Sequence, residues 1–209
     1  MRIGFMGGTF SPPHIGHLDA AKGFIREMEL DRLIIIPAKV SPFKVNSEET
    51  ANEKDRMEMA KLCFLPLDDE TCRVEVSDIE ISKDGTSYTI ETIKELKKLY
   101  HDDELYMYVG SDMFFSLEKW RDSKEIFKKC IIFTKCREKH QLESMLLTKQ
   151  KYEELYDAEI YISVEKEVVV SSTQVREALS LQNIETCRNL LTDKVLGYII
   201  KGGLYFEQH

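Results

Sequence analysis

Short apolar runs alternate with stretches of helical period along the whole 209-residue chain, and that alternation leaves few folds open. A run such as Arg32 to Pro37 (RLIIIP) holds four consecutive apolar residues, so a strand there must be buried on both faces. Arg2 to Met6, Leu105 to Val109, Cys130 to Thr134 and Glu159 to Val164 read the same way. Between them, helices are predicted over Ile15 to Glu29, Glu53 to Leu65, Tyr88 to Tyr100, the capped run STQVREALSLQ after Val170, and Asp193 to Ile200. The expectation is an α/β chain, a parallel sheet with helices on both faces. Its crossovers should be right-handed and its ligands gathered at the carboxyl ends of the strands. Ala38 to Asn52, rich in Pro, Ser and charge, reads as a loop, and Lys135 to Asp157 as a charged, exposed helix. Neither has the composition of an interdomain linker, so residues 1–209 are expected to form a single domain.

Charge narrows the partners. With 29 Lys+Arg against 37 Asp+Glu the net charge is −8, which argues against a nucleic acid backbone as the main partner but leaves small anions open. The first apolar run, Ile3 to Met6, is too short for a signal peptide or a membrane span, so a cytoplasmic protein with no membrane partner is expected. The five cysteines are scattered without a C-x-x-C pair, which fits reduced thiols. Cys130, Cys136 and His140 lack a second ligand pair, so no protein-held metal is expected.

The most specific stretch follows the first strand and opens the first helix: Gly7-Gly8-Thr9-Phe10-Ser11-Pro12-Pro13-His14-Ile15-Gly16-His17. Two glycines at the strand end are read as allowing a sharp turn that leaves backbone N–H groups open to a ligand. A helix N-terminus aimed at the same spot favours negative charge. His14 and His17 share a helix face, and Gly16 between them is read as clearing the way for a ligand. Together these features suit phosphate. Neither the P-loop pattern G-x-x-x-x-G-K-[ST] nor the dinucleotide fingerprint G-x-G-x-x-G occurs, and His14 and His17 lack the third ligand of a zinc site.

GGTFSPPHIGH resembles the GGTFDPPHxGH signature of the nucleotidyltransferase superfamily, and Val170-Ser171-Ser172-Thr173-Gln174-Val175-Arg176 resembles its ISSTxxR signature near the carboxyl end. Within that superfamily the chain is similar, over nearly its whole length, to the bacterial nicotinate-nucleotide adenylyltransferases. Pro37 to Lys44 resembles their P-x(n)-P-x-K loop, Arg56-Met57 their R-M helix start, Ser87-Tyr88-Thr89 their S-Y-T, Gly110-Ser111-Asp112 their G-x-D turn, and Trp120 their lone tryptophan. Ser11 stands where the family often has Asp, and Phe43 where a His precedes the lysine, so no role is carried to either.

The resemblance implies a Rossmann-like nucleotidyltransferase fold and a reaction between ATP and nicotinate mononucleotide that gives deamido-NAD and pyrophosphate. It places ATP against Gly8, Thr9, Phe10, His14, His17, Gly110, Asp112, Ser172, Thr173 and Arg176, with Ser172 or Thr173 as a helix N-cap and Asp112 on a ribose hydroxyl or capping its own helix. It places the mononucleotide against Lys44, Ser87, Tyr88, Thr89 and Trp120, the indole stacking on the ring and the helix start receiving its carboxylate. His14, His17, Lys44 and Arg176 are the expected catalytic set, and Mg²⁺ is expected on the ATP phosphates rather than in a protein cage. Nicotinamide mononucleotide or another phosphorylated acceptor, and a non-catalytic nucleotide-binding module, are the competing readings. A homo-oligomer stays open.

Overall fold

The structure is a computed structural model that describes residues 1–39, 51–83, 85–136, 139–165 and 168–206. Its centre is a six-stranded, all-parallel sheet in the order β3-β2-β1-β4-β5-β6. The strands are β1 (Arg2–Gly8), β2 (Arg32–Pro37), β3 (Arg73–Val76), β4 (Glu104–Tyr108), β5 (Ile131–Lys135) and β6 (Ile160–Ser163). The helices are α1 (Ile15–Met28), α2 (Glu53–Phe64), α3 (Thr89–Leu99), α4 (Ser111–Phe114), α5 (Ser123–Lys129), α6 (Leu142–Tyr156), α7 (Ser172–Ser180), α8 (Ile184–Leu190) and α9 (Asp193–Gly202).

Side chains alternate across the sheet as a period of two requires, and each face has its own core. Met6, Leu33, Ile35, Tyr106 and Phe133 pack with α1, α2 and α7 to α9 on one face. Ile3, Phe5, Ile34, Ile36, Leu105, Met107 and Ile132 pack with α3 to α6 on the other. This double burial is the reason the central strands read as unbroken apolar runs. It also sets Gly4, where an added Cβ would stand 2.3 Å from Leu30 Cδ1.

β3 escapes the apolar-run reading because Arg73 and Glu75 alternate with Val74 and Val76, and only the valines reach the core. α4, α5 and α8 span 4, 7 and 7 residues, too short to hold together without packing, and no long periodic pattern announces them. The five thiols are free and buried. Burial pushes Cys63 up to about 12 and Cys72 up to about 11, which leaves them protonated and unreactive. Cys136 is buried rather than at the surface while His140 is exposed, and no metal-binding group of three His, Cys, Asp or Glu occurs among the described residues. No helix among them is long and apolar enough to cross a membrane.

Candidate active site

Strand order reverses beside β1: the chain steps outward to β2 on one side and returns to β4 on the other. The crevice above such a point, at the carboxyl ends of the strands, is where open α/β sheets hold ligands. Two adjoining hollows of about 280 and 330 Å³ lie there, and both are bordered by Gly7, Tyr108, Met113 and Trp120. The first is closed by Gly8, Thr9, Glu80, Ser87 and Thr89. The second is closed by His14, His17, Gly110 and the segment from Val168 to Thr173.

The second hollow is built from two helix N-termini. His14 is the N-cap of α1, in extended conformation, and its Nδ1 accepts the His17 N–H at 3.3 Å. His17 Nδ1 accepts the His14 N–H at 3.3 Å in return, a capping box made of two imidazoles whose rings stack with centroids 3.7 Å apart. Because each Nδ1 accepts a backbone hydrogen bond, each neutral ring carries its proton on Nε2 and is a donor at that atom. The capping box thus fixes the tautomer as well as the helix start, a role the sequence pattern alone does not reveal. α7 supplies the second N-terminus. Its N-cap is Ser171, not Ser172 or Thr173: the Ser171 Oγ accepts from Gln174 N at 3.1 Å, and Gln174 Oε1 accepts the Ser171 N–H at 2.9 Å. Ser172 is already inside the helix and spends its hydroxyl on the Pro12 carbonyl, 2.9 Å away across 160 residues of sequence. Both positive helix ends face the same small volume, which favours an anion.

The glycines act differently from their sequence reading. Gly7 and Gly8 lie inside β1 without positive φ; the left-handed residue of the turn is Phe10, at φ 49°. Gly8 is required because a Cβ there would stand 2.9 Å from the Phe10 ring, which is buried against His17 and Phe64. A Cβ on Gly7 would meet nothing within 4 Å, so its place between the hollows is open to the close approach of a ligand. At Gly16 a Cβ would stand 2.7 Å from the Val168 carbonyl oxygen, so this glycine admits the 168–170 segment rather than clearing the way for a ligand. Asp19 fastens the same segment: its Oδ2 accepts the Val168 N–H at 3.3 Å and pairs at 2.9 Å with Lys135, whose side chain is 2% exposed. Gly16→Ala should therefore cost about 1–3 kcal/mol, read from the denaturant midpoint, with faster amide exchange at residues 168–173.

Two positive side chains order the turn. Arg176 Nη1 donates to the Ser11 carbonyl at 3.0 Å and Nη2 to Thr173 Oγ1 at 3.3 Å, so it ties the second signature to the first. Arg56, 2% exposed, donates to the carbonyls of Ala51 (3.2 Å), Thr9 (3.0 Å), Ala38 (2.6 Å) and Lys39 (3.3 Å). Burial lowers its affinity for the proton, and the nearby charges of Glu53 and Tyr205 draw it partly back. Only the R-M match marked this residue in the sequence; its function as a clamp follows from the four carbonyls. Ser11, in the Asp position, hydrogen-bonds Tyr205 at 2.8 Å and accepts the Ala51 N–H at 3.0 Å. The tyrosine is pushed up to about 12, chiefly by burial.

In the first hollow, Ser87 and Thr89 stand at the start of α3 and Trp120 is half-buried on the wall shared with the second hollow. Tyr88 is not on the wall of either hollow: it is the N-cap of α3, and its ring lies under the Arg121 guanidinium at 4.7 Å. Gly8 and Thr9 border this hollow rather than the histidine one. Phe10 presents no side chain to either, and Asp112, in the first turn of α4, is exposed beside Gly110. Lys44 and Phe43 lie outside the described residues.

A cytidylyltransferase-like family model matches residues 5–178. A probable nicotinate-nucleotide adenylyltransferase of Thermoanaerobacter sp. (strain X514) is 35% identical over 98% of this chain and 94% of its own length. One of Desulfitobacterium hafniense (strain Y51) is 36% identical over 98% and 95%. Among solved structures, the Plasmodium falciparum nicotinic acid mononucleotide adenylyltransferase complexed with NaAD superposes with a TM-score of 0.75 at 18% identity, covering 98% of this chain and 97% of that one. The same enzyme complexed with APC gives 0.74 at 17%, covering 98% and 96%. The two signatures that Ser172 and Arg176 join in space are thus set in matches that run the length of the sequence, and the chain belongs to the nicotinate-nucleotide adenylyltransferase family of cytidylyltransferase-like nucleotidyltransferases.

Proposed function

We propose that this protein transfers the adenylyl group of ATP to nicotinate mononucleotide, giving deamido-NAD and pyrophosphate. The observation that carries the reading is the pair of hollows meeting at Gly7, one formed by two helix N-termini and two histidines, the other by an indole wall and the start of α3. A phosphate oxygen of the mononucleotide attacks the α-phosphorus of ATP, a new P–O–P linkage forms, and the α–β bridging bond breaks with its electrons leaving on pyrophosphate. No protein nucleophile is needed. The protein's work is to align two anions that repel each other and to stabilise charge on the departing oxygen.

In this reading His14 and His17 donate from Nε2 to the triphosphate, and the N-terminus of α7 with Ser172, Thr173 and Arg176 receives its outer phosphates. Backbone N–H groups of residues 8–10 line the path between the substrates, Gly110 and Asp112 meet the ribose, and Lys44 reaches the reacting phosphates. Trp120 stacks on the pyridinium, while the backbone around Ser87, Tyr88 and Thr89 receives its carboxylate. ATP enters as its Mg²⁺ complex, because the ion neutralises triphosphate charge and is held chiefly by ligand oxygens and water.

Pyrophosphate release measured with each mononucleotide tests the acceptor. A helix N-terminus favours a carboxylate by up to about 2 kcal/mol, so nicotinate mononucleotide should lead in kcat/KM by up to about thirtyfold. Equal turnover of nicotinamide mononucleotide would remove the carboxylate selectivity. Absence of pyrophosphate with either would leave a nucleotide-binding module.

A further inference from the structure

Glu80 is the only charged side chain among the described residues that line the first hollow, and a carboxylate is an unexpected wall for a site read as receiving another carboxylate. Hydrogen bonding explains its presence. Thr92, on the buried side of α3 and 3% exposed, donates its hydroxyl to Glu80 Oε1 at 2.6 Å. Ser87, on the wall of the same hollow, accepts the Lys39 N–H on its Oγ at 3.1 Å. The start of α3 is therefore tied to the backbone after β2 through Ser87 and to Glu80 through Thr92. The N-cap of α3 is Tyr88, which makes no side-chain capping bond, so the start of this helix lacks the usual local anchor. Glu80 reaches the first turn of this helix from outside, through the Thr92 hydroxyl.

Resting on the acceptor reading above, we propose that Glu80 is the positioning residue of the acceptor hollow: by holding the Thr92 hydroxyl, next to a Ser87 bonded to the Lys39 N–H, it fixes the α3 N-terminus, and with it the backbone that receives the ring substituent, relative to the backbone after β2. Burial raises the Glu80 carboxyl above its ordinary range, and the two hydroxyls together with Lys83 draw it partly back, as expected of a carboxylate engaged by the protein rather than by water.

Steady-state kinetics of Glu80→Ala and Glu80→Gln, with MgATP and nicotinate mononucleotide varied in turn, test the proposal. Glu80→Ala should raise the mononucleotide KM by about tenfold or more, while kcat and the ATP KM stay within about twofold. Glu80→Gln, which keeps an acceptor for Thr92, should return the mononucleotide KM to within about threefold of wild type. If Glu80→Ala does not fold, Thr92→Val removes the same bond from its other end at nearly constant volume and should raise the mononucleotide KM selectively. An unchanged mononucleotide KM overturns the proposal. So does a parallel rise in both KM values with loss of thermal stability, which would make Glu80 structural only. A mononucleotide KM below wild type in Glu80→Gln overturns it as well, since charge repulsion would then outweigh positioning. These outcomes presuppose an active wild type; a wild-type protein that releases no pyrophosphate from nicotinate mononucleotide overturns the acceptor reading, and this proposal with it.

Discussion

His17→Ala is expected to lower turnover by about 10²-fold or more, because removing one preorganised donor from developing charge costs about 2.7–4 kcal/mol. The geometry that makes this prediction also complicates it. His17 is both a donor at Nε2 and half of the capping box, since its Nδ1 accepts the His14 N–H. Alanine removes both functions, and the lost cap alone would cost about 1 kcal/mol of stability. His17→Glu separates them. Glutamate at the third helical position is an ordinary capping-box partner, so it restores the bond to His14 N while its ionised carboxylate has no donor to offer. A glutamate variant with wild-type stability and a loss of turnover at least as large identifies the donor side of the ring, not the cap, as the element that supports turnover. Recovery of turnover in that variant would reduce His17 to a helix cap.

Arg56→Met should be the most destabilising single substitution among the residues around the site. Arg56 fills its place with one guanidinium and four carbonyls: Thr9 in the first signature, Ala38 and Lys39 after β2, and Ala51 ahead of α2. Methionine conserves much of the volume and leaves those buried acceptors without their donor. Net losses of about 1.5–3 kcal/mol are typical for a hydrogen bond to a charged group, offset by removal of an expensively buried charge, so about 3 kcal/mol is expected overall. For a chain of this length that corresponds to a fall of about 6–12 °C in Tm. Arg56→Lys should recover less than half of it, because a compact ammonium cannot reproduce a planar fork with donors on three nitrogens. Turnover should fall further than stability implies, since the clamp joins both flanks of the 40–50 segment to the turn at Thr9. A Met variant with unchanged Tm and turnover would show that the four bonds contribute nothing net.

A net charge of −8 and a site for polyphosphate are compatible because the positive potential is local. The amino ends of α1 and α7 converge on one hollow, and Arg176 and Arg56 lie directly beneath the turn. Elsewhere some surface acids pair with lysines on their own helices, as Glu91 does with Lys94 and Glu95 with Lys98, in exposed pairs of small energy.

Sequence alone determined the layering, because a parallel sheet buried on both faces forces the apolar runs of β1, β2, β4 and β5, and few other architectures accommodate such runs at this spacing. It also marked two strings that the structure brings to one hollow, since GGTFSPPHIGH and VSSTQVR are chemically unusual strings at the ends of strand and helix patterns. Local patterns could not determine how those strings are held. β3 buries only two valines, and the short helices α4, α5 and α8 exist through packing. Glu80 and Arg56 gain their meaning from partners far along the chain: Thr92 for one, Thr9, Ala38 and Lys39 for the other. The same is true of Gly16, whose missing side chain makes room for the Val168 carbonyl. A motif specifies its own backbone through short-range sterics and caps, whereas the contacts that orient one motif against another depend on which strand ends the sheet brings together, and only the tertiary structure decides that.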